Sequence, residues 1–251
     1  MPLGRMLTAV ALLAGLAACS DSLGPNEQGR VQVAFRVLSQ SGNGGGPLVI
    51  SGSNGTLTIT DISLIVNEFE LEVDEDACEV EGAEDEECEE FEAPAAFVRL
   101  PLDGDALVAV STMVPAGTYH SVEFEVEDID LDESDDDAGD INVITTAVRA
   151  AFPNWPDEAS MVVVGSFTPT GGQPIPFTVF FDAEIEIEKN FVPALVVDQS
   201  NETVTIELDP SVWFKRFDGT VLNLSALNGQ VVEFEAELED GFQEIEFDDD
   251  D

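Results

Sequence analysis

The chain has 251 residues, with 53 acidic against 8 basic side chains and a formal net charge of −45 at pH 7, yet 44% of its residues are hydrophobic and 16 are Phe. Such acidity excludes nucleic acid as a partner, since phosphate binding needs Lys and Arg, while the apolar fraction excludes a wholly disordered acidic chain. What remains is a folded domain under a negative skin whose self-repulsion is relieved by screening ions, as suits saline surroundings or a surface that gathers divalent cations.

At the amino terminus Arg5 precedes an apolar run over residues 6–16 and then small residues, the order of a secretory signal. The run is too short for a bilayer span, which needs ~20 apolar residues. It ends in Leu16-Ala17-Ala18-Cys19, which resembles the bacterial lipobox. That resemblance implies cleavage after residue 18, lipid on the Cys19 thiol and, with Ser20 next in line, sorting to the outer membrane of a bacterial envelope. Several acyl chains hold a protein stably where a single chain does not. Residues 19–28, with Gly24 and Pro25 and no hydrophobic periodicity, read as a lipidated tether.

A β-rich domain is expected over residues 29–240, with a division into two subdomains near 127–160 as the alternative. Val31, Val33, Phe35 and Val37 alternate with other residues at the period of a half-buried strand. Residues 41–46, Ser-Gly-Asn-Gly-Gly-Gly, read as a flexible loop. From residue 57 the apolar positions run Leu57, Ile59, then Ile62, Leu64, Val66, then Phe69, Leu71, Val73, slipping by one residue twice. Each slip turns the side chains over unless a bulge or bend absorbs it, which predicts one long bent strand or a pair. Further strands are expected over 97–102, 106–113, 119–126, 161–167, 177–187, 204–208 and 231–238. The 177–187 segment alternates most cleanly, with Asp182, Glu184, Glu186 and Glu188 opposite its apolar face. Ile141 to Phe152 suits a short helix before Pro153, and residues 241–251 read as an acidic tail. These elements predict an all-β fold, a two-sheet antiparallel β-sandwich of immunoglobulin-like or transthyretin-like kind, apolar inside and acidic outside.

Several of these segments in order, namely residues 31–37, 62–71, Phe97-Val98-Arg99-Leu100-Pro101-Leu102 and Val114-Pro115-Ala116-Gly117-Thr118-Tyr119, resemble the bacterial lipoprotein family catalogued as domain of unknown function 4382. The resemblance covers residues 30–127 and, more loosely, 160–214, ending at Asp209-Pro210-Ser211-Val212-Trp213-Phe214. It implies a lipid-anchored, strand-rich domain and contributes no catalytic residue.

Beyond the anchor, Cys78 and Cys88 are an even pair in an exported chain, which points to a disulfide worth ~2–3 kcal/mol for so short a loop. Two thiolates without a neighbouring His do not complete a zinc shell, and their spacing is not that of a redox pair. Asp128, Asp130, Asp132 and Asp135 begin like a calcium loop, but Glu133 stands where the turn glycine belongs and Gly139 where the bidentate Glu belongs. A looser calcium site and a solvated acidic loop both fit these residues. Trp155, in the polar stretch Pro153-Asn154-Trp155-Pro156-Asp157, is either an exposed glycan platform or a loop anchor, whereas Trp213 between Val212 and Phe214 belongs in the core. His120 is the sole histidine, and no nucleophile elbow, zinc-binding pair or phosphate loop accompanies it. The expectation is therefore a non-enzymatic module without a cofactor other than calcium, held to a membrane and meeting a glycan or protein partner.

Overall fold

The computed structural model describes residues 28–38, 46–73, 91–128, 138–239 and 242–248. In chain order the first strands are β1 (Gln28–Val37), β2 (Leu48–Gly52), β3 (Gly55–Val66), β4 (Glu68–Val73), β5 (Phe91–Ala93), β6 (Ala96–Arg99), β7 (Ala106–Pro115) and β8 (Gly117–Val126). Helix α1 (Ala138–Ala151) follows, then β9 (Met161–Pro169), β10 (Ile175–Val197) and β11 (Asn201–Leu208). The chain closes with α2 (Pro210–Trp213), a 3-10 turn (Leu224–Leu227), β12 (Val231–Glu239) and β13 (Phe242–Asp248).

Period-2 alternation gives each strand one apolar face, and two sheets bury those faces against each other as a sandwich. The small sheet has the order β11-β1-β7, and the larger one has ten strands built around β10. Phe180 pairs with both Val162 of β9 and Val231 of β12, and Ile185 with both Val126 of β8 and Ala236 of β12. β9 and β8 therefore follow one another along one edge of β10, while β12 lies on the other. From β9 the sheet continues to β3, which carries β2 and β6; from β8 it continues to β4 and β5.

Two pairs depart from the antiparallel expectation, since β1 with β11 and β10 with β12 are parallel. Between β10 and β12 the chain crosses into the small sheet to form β11, a path long enough to return in the same direction. The acidic end also differs from a plain tail: β13 pairs with β12, in a register that sets Phe247 opposite Phe234 and Ile245 opposite Ala236.

Both slips between residues 57 and 73 have a structural cause. The first is a register shift between Ile59 and Asp61 in the pairing of β3 with β9. The second falls at Asn67, where the chain leaves β3, donates its backbone N–H to Glu125 O at 2.9 Å and begins β4 against β8. The segment is thus a pair of strands serving both halves of the sheet.

Between the sheets lie Phe35, Phe69, Phe124, Phe181, Trp213, Phe214 and Phe234, with Phe35 and Phe124 edge-on at 5.0 Å between ring centres. Burying each such side chain contributes ~1.5–3 kcal/mol. A smaller second core lies on the outer face of the large sheet, where Ile144 and Val148 of α1 cover Ile65, Val162 and Phe180. Among the described residues, helix α1 therefore shields the part of that outer face around Ile65, Val162 and Phe180, and the β4–β8–β10–β12 part lies outside this second core.

Candidate functional site

On the part outside this second core, alternation that turns Phe69 and Leu71, Val122 and Phe124, Ala183, Ile185 and Ile187, and Phe234 inward turns acidic residues outward. Strand register then sets acid opposite acid. Glu70 faces Glu123, which faces Glu188; Glu125 faces Glu186; Glu184 faces Glu235; and Asp182 faces Glu233. Directly opposed side chains have Cβ atoms ~4.5–5.5 Å apart, and like charges at that spacing destabilise the pair. Among the described residues, Arg36, Arg99 and Arg149 form ion pairs with Glu207, Asp61 and Asp157, none of which belongs to these rows.

Among the described residues, the half-buried carboxylates of Glu70, Glu72 and Glu123 gather, each offering an oxygen within 4.8 Å of the others. Ser121, itself buried, donates its hydroxyl to Glu72. Burial, the charges of Glu186, Glu72 and Glu125 and a hydrogen bond with Glu186 push Glu123 up to about 7. Asp182 is also raised, by burial and then by the charges of Asp128, Glu233, Glu158 and Glu127. Burial and the charge of Glu235, followed by Glu127, Asp182 and Asp128, raise Glu184 in the same way. Such a surface concentrates cations from solution. The three clustered oxygens amount to at most half of the six to eight that calcium takes.

No protein-family model and no curated protein matches the chain. Among solved structures it is similar to MbnP from Methylosinus trichosporium, at 14% identity over 84% of this chain and 76% of that one, with a TM-score of 0.36. So loose an overlay leaves the surface to be read from its own chemistry.

Of the residues singled out in the sequence, Cys19, Cys78, Cys88, Asp130, Asp132 and Asp135 lie outside the described residues. Asp128 is described, and it acts on the acidic face through Asp182 and Glu184. The exposed setting considered for Trp155 is corrected: the residue is only 5% exposed and donates its indole N–H to Ala159 O at 2.6 Å. Its ring meets Phe97 at 5.8 Å and Phe180 at 5.6 Å, so it anchors the loop after α1 and cannot act as a glycan platform. The polar neighbours of Trp155 in sequence gave no sign of this, because the aromatic pocket comes from β6 and β10. Trp213 is buried in the main core as expected, at 1% exposure.

The Glu70–Glu72–Glu123 cluster escaped the sequence reading. Its signal was present as Glu at every second position in Phe69-Glu70-Leu71-Glu72 and Glu123-Phe124-Glu125. Their adjacency depends on β4 pairing with β8, which no local pattern reports.

Proposed function

We propose that the chain is a lipid-anchored, non-enzymatic module of the bacterial cell envelope, tied to the outer membrane through Cys19. In this reading a Cys78–Cys88 disulfide closes the acidic loop between β4 and β5, and the protein acts as an interaction or structural element. Its working surface is the carboxylate face of the larger sheet. What supports this is the set of acid rows running in register across β4, β8, β10 and β12. Opposed like charges cost stability in each strand pair, and departures from the rules of stable packing concentrate where a surface has work to do.

Crosslinking in native membranes followed by capture of the full chain tests the reading. The expected result is a recurrent neighbour, lost when Glu70, Glu123 and Glu186 are together replaced by Gln, and an acylated Cys19 in the amino-terminal peptide. An unprocessed, unacylated amino terminus removes the anchor. Undiminished capture by the Gln variant moves the working surface elsewhere.

The mutual approach of Glu70, Glu72 and Glu123 favours a second reading, in which this face binds calcium. In that case micromolar calcium raises the melting temperature beyond the effect of chloride salt at equal ionic strength, and Glu72→Gln abolishes the excess. No excess in the unaltered chain returns the face to the first reading.

A further inference from the structure

Charge is divided very unevenly over this molecule. Residues 46–60, 159–181 and 210–232 together hold two cations, Lys215 and Arg216, against one carboxylate, Asp218, in a chain of net charge −45. Hydrogen bonds gather turns from all three segments at one end of the fold. Ser53 donates its backbone N–H to Gly219 O at 3.0 Å, and Thr170 donates to Asn54 O at 3.1 Å. The Asn54 side chain clasps Val221, donating to its carbonyl at 2.8 Å and accepting from its N–H at 2.9 Å.

The foremost of these turns is a braced hairpin. Lys215 bridges to Val221, Arg216 donates to Thr220 O at 2.9 Å, and Gly219 donates to Arg216 O at 3.0 Å. Gly219 takes φ of 80°, which the tight reversal requires and which side chains disfavour. Asp218 accepts from the N–H and the hydroxyl of Thr220 at 2.8 and 2.6 Å, and Arg216 lies near enough to act on its charge. At the apex Phe217 is 112% exposed, so its ring projects beyond everything around it. Lys215 and Arg216 are exposed beside it, and Ile175 is exposed at the turn between β9 and β10.

A protruding aromatic ring next to two cations finds charge partners but no apolar interior to enter on the acid-rich surface of another copy. It matches a yielding interface with an apolar interior under negative headgroups. We propose that the 215–221 hairpin is a membrane-docking tip: Phe217 enters the interface of an anionic bilayer while Lys215 and Arg216 engage its headgroups. Its rigidity means that little ordering entropy opposes the contact.

Geometry also sets which bilayer the tip meets. β10 starts at this end and finishes at Val197, next to Gly29, where an added Cβ would lie 2.7 Å from the Val197 side chain and 2.0 Å from Asp198 O. The beginning of β1 is thus at the far end of a strand whose 23 residues follow a path on the order of 70 Å. Residues 19–27 reach at most ~30 Å when extended. If lipid holds the amino-terminal side, as in the function proposed above, the tip faces away from that membrane and toward a second one. The docking tip itself does not depend on the anchor.

The test uses the full chain carrying Phe217→Trp, in which Trp155 and Trp213 are already buried and serve as unresponsive references. On mixing with phosphatidylglycerol vesicles, emission is expected to move to shorter wavelength and to be quenched by brominated acyl chains. Phosphatidylcholine vesicles should produce neither change. Adding Lys215→Glu and Arg216→Glu should weaken binding at least roughly tenfold. Because the signal originates at residue 217, attachment through the amino terminus does not imitate it. Unchanged emission at saturating phosphatidylglycerol overturns the proposal, as does an equal response to both lipids. A response to envelope proteins but not to lipid also overturns it, and assigns the tip to a protein partner.

Discussion

Tyr119 stands at the corner where the chain passes from β7 in the small sheet to β8 in the large one. Its hydroxyl donates back to Pro115 O at 3.0 Å, and its ring lies beside Gly117, where an added Cβ would make an ordinary contact at 3.6 Å. The Pro-Ala-Gly-Thr-Tyr sequence is thus the chemistry of a sheet-switching turn. Tyr119→Phe removes one neutral hydrogen bond, so a loss of ~0.5–1.5 kcal/mol is expected, read as a lower urea midpoint at unchanged slope. Glu123 illustrates the opposite kind of residue, one that works against the fold. Its pKa rises from 4.5 to about 7 on folding, because burial and neighbouring carboxylates disfavour its charge. The folded state therefore binds more protons than the unfolded state across that window. The contribution of Glu123 is fully present below pH 4.5 and is lost as pH rises through about 7. Glu123→Gln should flatten the melting temperature between those limits and raise it at pH 8. An unchanged pH profile would remove Glu123 as its source.

At the scale of elements, α1 and the loop behind it form a layer held by the second core, with Trp155 as its hub. Trp155→Ala should cost ~3–5 kcal/mol, measurable by thermal melting at 222 nm. β9 depends instead on a close approach. A Cβ on Gly165 would fall 2.2 Å from Thr58 O and 3.0 Å from the Phe177 ring, so Gly165→Ala must part β9 from β3. A loss of ~1–3 kcal/mol is expected, seen in the denaturant midpoint. Both cases show what a sequence transmits. Strands such as β10 and the helix before Pro153 were legible, because alternation and helical spacing are local and follow directly from which face is buried. The slips at Ile59–Asp61 and Val66–Phe69 were equally legible as irregularities, although the bulge and the change of partner behind them were not. Parallel pairing of β1 with β11, the aromatic pocket around Trp155 and the meeting of Glu70, Glu72 and Glu123 arise only after distant segments pack. Nothing within a short window of residues encodes those distances. Asn54 and Val221 make the same point at the tip: each looks ordinary in its own segment, and their clasp brings Phe217 to a defined place.

For the whole molecule, the same distribution of charge governs stability and contact in opposite senses. Acid rows on adjacent strands stand ~4.8 Å apart, well inside the ~10 Å Debye length at 0.1 M salt and outside the ~3 Å length at 1 M. Repulsion across β4, β8, β10 and β12 is therefore little relieved at low salt and strongly relieved at high salt. Sodium chloride should raise the melting temperature steadily from 0.05 to 1 M. Replacing Glu123, Glu186 and Glu235 together with Gln should raise it at the low-salt end and reduce the slope, because each belongs to a different opposed pair. At the far end Lys215 and Arg216 act by attraction, so the same salt should weaken vesicle binding by the tip while it strengthens the fold. Parallel titrations of melting temperature and of vesicle binding against sodium chloride decide the matter. Curves of opposite slope are expected. A melting temperature that is flat or falling with salt would show that something other than mutual repulsion of the acid rows limits the stability of this chain.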